Sequence, residues 1–227
     1  MNRTDTENLV LNVLGYYPER LNILLELANS ALNINSFNVL ENMPAATPEH
    51  YVPQKEYSVK FFNCYDEEHS FNKNEFFTLG LIGTKSKQAV HHYFKQSIGM
   101  DDDRLINLVH TTAYVSPSAI LSNGIQLGIL SSVNVLAEIG FGVNIKTKCY
   151  IGHHAKIGNY VTINPGVIVS GFVKIGNNTL IGAGAVIRDS VKIGSNCIIG
   201  MGSNVVKDVP DNSIAFGNPC RVQGKNA

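Results

Sequence analysis

The chain has 227 residues, 44% of them hydrophobic and 16% charged, which is enough for a real core in one or two domains. Lys and Arg total 18, as do Asp and Glu, so no long-range field recruits nucleic acid or an anionic membrane. The opening "MNRTDTENLVLNVLGYYPERL" carries no basic stretch, apolar run and cleavage site, there is no membrane-length apolar run, and Cys64, Cys149, Cys197 and Cys220 form no CxxC; a cytoplasmic protein with neither disulfide framework nor zinc knuckle is expected.

Thirteen of the nineteen aromatics precede residue 109. There "NLVLNVLGYY" predicts a buried strand, "PERLNILLELANSALN" a helix with Pro in its first turn, and "SFNVLEN" a second strand. A long polar loop is expected over "NMPAATPEHYVPQKE", then strands in "VKFFNCY" and "FFTLGLIG", and a helix in "KSKQAVHHYFKQSIG" that ends at Gly99. Strand, helix, strand in this order predicts a small parallel α/β domain over residues 1–108.

From Val109 to Pro210 the chain divides into seventeen consecutive hexads, each beginning with Val, Ile or Leu and each carrying a small or β-branched fifth residue. A period of six fits no α-helix. It fits a chain that bends after every short strand, so that three hexads close a triangular coil and residues 18 apart stack about 4.8 Å apart. The prediction for residues 109–227 is a parallel β-helix of between five and six coils, with first-position aliphatics inside and fifth-position residues filling the corners. Gly140, Gly158, Gly176 and Gly194 recur every 18 residues, and are expected to supply a φ that glycine alone adopts cheaply.

Two adjacent imidazoles interrupt this pattern in "CYIGHHAKIGNYVTINPG". His153 holds the third place of its hexad and its neighbour one coil on is Gly171, so an outward imidazole beside a notch with an exposed backbone N–H is predicted. His154, in fourth place, is read as orienting His153, touching substrate or facing water.

A small α/β domain followed by hexads, the run "IGHHAKIGNYVTINPGVIVSG" and "AFGNPCRV" near the end together resemble the bacterial sugar acyltransferases of the left-handed β-helix class. The group in question contains sialic acid O-acetyltransferases and nucleotide-linked amino-sugar N-acetyltransferases. The resemblance implies acetyl-coenzyme A as co-substrate, no metal, a homotrimer, and coenzyme held between neighbouring β-helices. It places the catalytic histidine at His153, with His154 where many relatives carry a carboxylate. Thr162 falls where relatives often place a second histidine near the sugar. In the first domain Gly15 stands alone where relatives have a glycine-rich turn, Arg20 is a source of charge for a phosphate, and Glu41 and Asn42 match the place of polar contacts to a base.

The chemistry expected is direct attack on the thioester. His153 takes the proton shed by the attacking group, as a largely neutral imidazole can at neutral pH, and the Gly171 N–H is expected to receive the developing oxyanion. Gly166, Gly184 and Gly202, with Gly182 below Gly200, form a side-chain-poor track for a pantetheine arm or for subunit packing, and Lys207, Arg221 and Lys225 are placed to meet phosphates. The function expected is acetyl-CoA-dependent N-acetylation of a nucleotide-linked amino (dideoxy) sugar for surface glycan synthesis; the alternative is sugar O-acetylation. A more remote alternative is a zinc hydratase of carbonic anhydrase type, which needs three converging histidines. Against it, His153 and His154 are expected to point apart, and His110 lies more than two coils away.

Overall fold

The stretch Val10–Leu14 forms strand β1, and Pro18, with a preset φ and no N–H to leave unpaired, opens helix α1 (Pro18–Leu32). The structure, a computed structural model, describes residues 9–41, 54–63, 71, 75–81 and 83–226; the chain divides into two compact units, Met1–His110 and Thr111–Ala227. In the first unit β2 (Ser36–Glu41), β3 (Ser58–Asn63) and β4 (Phe76–Leu79) join β1 in a parallel sheet of order β3-β2-β1-β4, and α2 spans Thr84–Ser97. Leu21, Leu24, Leu25, Ala28 and Leu32 recur at helical spacing and join Leu11, Val13, Phe37 and Val39 in one core. Asn33, at φ 59°, ends α1 in the left-handed conformation that asparagine tolerates. The expected strands and helices are present; Asn42, Cys64 and most of the expected long loop lie outside the described residues.

The sheet order reverses beside β1, because the chain runs outward through β2 and β3 and returns to the other side at β4. Parallel sheets open a crevice at the carboxyl ends of such neighbours. Here those ends are Gly15 and Gly80, and a Cβ on Gly80 would overlap the Gly15 carbonyl oxygen.

In the second unit each hexad junction is a two-residue strand, and strands 18 residues apart pair in parallel register, as Glu138 with Lys156 and Tyr150 with Ile168. The prism so formed has three faces, named here by their outward residues. An apolar face carries Tyr114, Tyr150, Ile168 and Val186, a lysine face Lys156, Lys174 and Lys192, and an amide face Gln126, Asn144 and Thr162. Inside, first-position residues such as Ile151, Ile163 and Val169 and fifth-position residues such as Ala155, Val161 and Val173 are fully buried.

Two details of the repeat differ from expectation. The second-position glycines have no positive φ; they are required because a Cβ on Gly176 would lie 2.5 Å from the Ser195 nitrogen and 2.6 Å from the Gly194 carbonyl carbon of the next coil. The left-handed turn falls instead at the fourth position, where Leu130, Leu136, Lys148, His154, Tyr160, Gly166, Phe172 and Gly184 all have φ between 55° and 71°. The last coil is also two residues short. Ile193 pairs with Val209 and Ile198 with Ile214, each 16 residues on, so Val209 occupies a first position and the seventeenth hexad is a contracted turn. A hairpin of Ser213–Gly217 and Cys220–Lys225 follows.

Candidate active site

His153 and His154 lie on the corner that leads from the apolar face to the lysine face, and both are exposed. Gly152 permits this corner to be tight, since a Cβ there would come within 2.7 Å of the Gly171 nitrogen one coil on. The imidazole of His153 then leans over Gly171: a Cβ on residue 171 would lie 2.6 Å from His153 Nε2. The bare position is thus filled by the catalytic candidate's own ring, with Nε2 against the glycine.

The two histidines do not point apart. The left-handed turn at His154, φ 58°, swings its side chain back, so that the two Nδ1 atoms are 3.2 Å apart and the rings meet edge to face. Phe172, one coil above His154 and also in a left-handed turn, stacks on it at 4.7 Å with 20° between planes, and presents its face or edge to His153 at 5.0 Å and 88°. Phe172 is a residue the sequence reading missed, although its place 18 residues after His154 is the signal that locates it.

The Gly171 N–H is not exposed. It donates to Asp189 Oδ1 at 3.0 Å, which corrects its expected role as a free oxyanion donor. The cause is a regular device of this prism, in which a third-position side chain caps the N–H one coil below, as Asn177 caps Asn159 and Ser195 caps Asn177. For His153 the capping place belongs to Gly171, which has no side chain to offer; among the described residues the His153 N–H has no protein partner.

Other expected residues are distributed over the prism. Lys207 is exposed in the column His153, Gly171, Asp189, Lys207, three coils or roughly 14 Å from the histidine. Gly166, Gly184 and Gly202 line a different corner, between amide and apolar faces; Cβ atoms on Gly184 and Gly202 would meet nothing within 4 Å, so the strip is open, but Tyr150, Ile168 and Val186 separate it from His153. Gly182 and Gly200 serve close approach, since a Cβ on each would strike Met201 and Phe216 respectively. Arg221 is exposed on the final hairpin, where its guanidinium donates to the Cys220 carbonyl oxygen at 2.8 Å. Thr162 is 1% exposed on the amide face, which is not one of the two faces that meet at the histidine corner of the same prism. Cys149 is buried as its fifth-position place requires, and burial pushes its thiol upward, away from a reactive thiolate.

In the first unit, Gly15 follows β1 at φ 64°, Arg20 is exposed in the first turn of α1, and Glu41 ends β2. Glu41 accepts a hydrogen bond of 3.3 Å from Tyr16, a residue passed over in the sequence. Burial first, and Glu41 second, push the Tyr16 hydroxyl up to about 12, so it remains the donor and fixes the carboxylate at the strand end. Among the described residues no group of three His, Cys, Asp or Glu side chains gathers to hold a metal ion, and no helix is long and apolar enough to cross a membrane.

Comparison with known proteins agrees with this architecture. The family model described as bacterial transferase hexapeptide (six repeats) matches residues 172–207. No curated protein sequence matches the chain. Among solved structures, a mutant of perosamine N-acetyltransferase from Caulobacter crescentus, in complex with CoA and GDP-perosamine, superposes with a TM-score of 0.79 at 21% identity over 96% of this chain and 98% of that one. The acetyltransferase domain of PglB from Neisseria gonorrhoeae, in complex with acetyl coenzyme A, gives 0.80 at 24% identity over 98% and 100%, and WeeI from Acinetobacter baumannii gives 0.80 at 20% over 95% and 100%. The shared fold is a small parallel α/β unit followed by a left-handed parallel β-helix.

Proposed function

We propose that the protein is an acetyl-CoA-dependent N-acetyltransferase acting on a nucleotide-linked amino sugar, with His153 as general base, in the assembly of a surface glycan. The observation that carries this reading is the seat of His153: an exposed imidazole whose Nε2 faces a glycine, on a fold shared with proteins whose structures hold CoA, GDP-perosamine or acetyl coenzyme A. The sugar nitrogen forms the new C–N bond as the C–S bond breaks. Its proton passes to Nε2, and from there serves the departing thiolate, so that the coenzyme leaves as the thiol. No cysteine or serine intermediate is needed. Gly15 and Glu41, held by Tyr16, stand at the carboxyl ends of β1 and β2, where a nucleotide would be received, and Arg20 lies in the first turn of α1 that follows β1.

The coenzyme would use the open strip at Gly184 and Gly202, with Lys207 and Arg221 toward its phosphates. Because that strip and His153 occupy opposite edges of the apolar face, one groove reaches both only when the strip of one copy adjoins the histidine corner of another. This supports a homotrimer of prisms, in which each site is shared. The test is release of thiol from acetyl-CoA with a panel of amino-sugar nucleotides and hydroxyl acceptors. His153→Ala should lower kcat by about 100-fold or more. Retention of the rate would remove His153 as base, and turnover of hydroxyl acceptors alone would refute N-acetylation.

A further inference from the structure

We propose that His154 is a positioning residue, whose ring, clamped by Phe172, accepts a hydrogen bond from the Nδ1–H of His153 and so fixes His153 in the tautomer that leaves Nε2 bare above Gly171. The proposal rests on the reading of His153 as base and adds what holds it ready.

Two Nδ1 atoms 3.2 Å apart form a hydrogen bond only when one carries a proton and the other does not. Nε2 of His153 is the nitrogen that faces Gly171, so a base there must keep Nε2 unprotonated and its one proton on Nδ1. His154 then accepts through a bare Nδ1 and carries its own proton on Nε2. The reverse arrangement, with His154 donating, would place the His153 proton on Nε2 and leave nothing to receive the proton of the sugar nitrogen.

The position of His154 is determined by the coil. Its left-handed turn aims the ring along the corner, and Phe172, the same place one coil on, stacks against it at 4.7 Å while touching His153 edge to face at 5.0 Å. One phenyl ring therefore limits rotation of both imidazoles. The carboxylate on this corner, Asp189, is engaged by the Gly171 N–H, and no ion pair joins it to His153 among the described residues. Once Nε2 gains a proton, the Nδ1–H···Nδ1 bond becomes charge-assisted and stronger, so orientation tightens as charge develops.

The test joins imidazole nitrogen NMR to kinetics. In the unaltered protein the nitrogen resonances should show His153 protonated on Nδ1 and bare on Nε2, and His154 the reverse. His154→Ala should mix the His153 tautomers and lower kcat roughly 10- to 100-fold, with KM for acetyl-CoA changed less than about threefold; His154→Glu, which restores an acceptor, should recover much of the rate. A protonated Nε2 on resting His153, or an unchanged kcat in His154→Ala, overturns the proposal. An active His153→Ala beside the expected nitrogen pattern instead refutes the base while supporting the tautomer assignment, so the two failures are distinct.

Discussion

At position 171 the available space is taken by an imidazole, not by solvent. A methyl group there would lie 2.6 Å from His153 Nε2 and 3.2 Å from Asp189 Oδ1, and the flexible partner, the ring, has to yield. Gly171→Ala is therefore expected to lower kcat/KM by roughly 10- to 100-fold through misplacement of the proposed base, while the melting temperature shifts by no more than about 2 °C, because the φ of Gly171 is not in the left-handed region. Steady-state kinetics and calorimetry on one preparation separate the two effects. That His153 faces outward beside a bare glycine was readable from the hexad register. That its ring fills the notch, that Asp189 has taken the glycine N–H, and that His154 turns back toward it were not, since each depends on a χ angle or a φ that the repeat leaves open.

Glycine at two places in the hexad answers two different demands, and stability measurements should tell them apart. Gly176→Ala forces a Cβ to 2.5 Å from backbone of the next coil and is expected to cost about 3 kcal/mol or more; Gly202→Ala meets open space and carries only the strain of a φ of 64°, about 1 kcal/mol. Equilibrium denaturation reads both; equal costs would disprove the distinction. In α2 the relevant side chain is His91, 6% exposed, with Nε2 3.1 Å from Asp102 Oδ1, which also receives Lys95 at 2.8 Å. Burial lowers the His91 pKa, and Asp102 only partly offsets this. A lowered value means that the unfolded chain binds this proton more readily than the folded one, so stability is intact above the ordinary histidine range and declines as pH falls through it. Unfolding midpoints of the first unit should fall between pH 7 and 5.5, and His91→Gln should flatten that slope.

For the proposed trimer, the contrast between the faces of the prism is what matters. Ile168 is 43% exposed in a row with Tyr150 and Val186, whereas the lysine face carries Lys156, paired with Glu138 at 2.7 Å, Lys174 and Lys192. A trimer that shares its grooves across the apolar face predicts that Ile168→Asp sediments as a monomer and loses acetyl transfer, with the melting temperature of the isolated prism changed little because the side chain points outward. A trimer that survives this substitution would place the interface elsewhere. The sequence by itself determined the prism, its inward aliphatics and the column that carries His153 and Gly171, because an 18-residue register leaves one way to bury a first-position residue. It also indicated the parallel α/β unit, through helical and strand periodicities. Only the tertiary structure decided which glycines serve close approach and which serve a left-handed turn, the contraction of the last coil, the burial of Thr162 and the clamp of Phe172 on His154. Those follow from distances between successive coils and from side-chain rotation, quantities that a repeat of residue types constrains but does not specify.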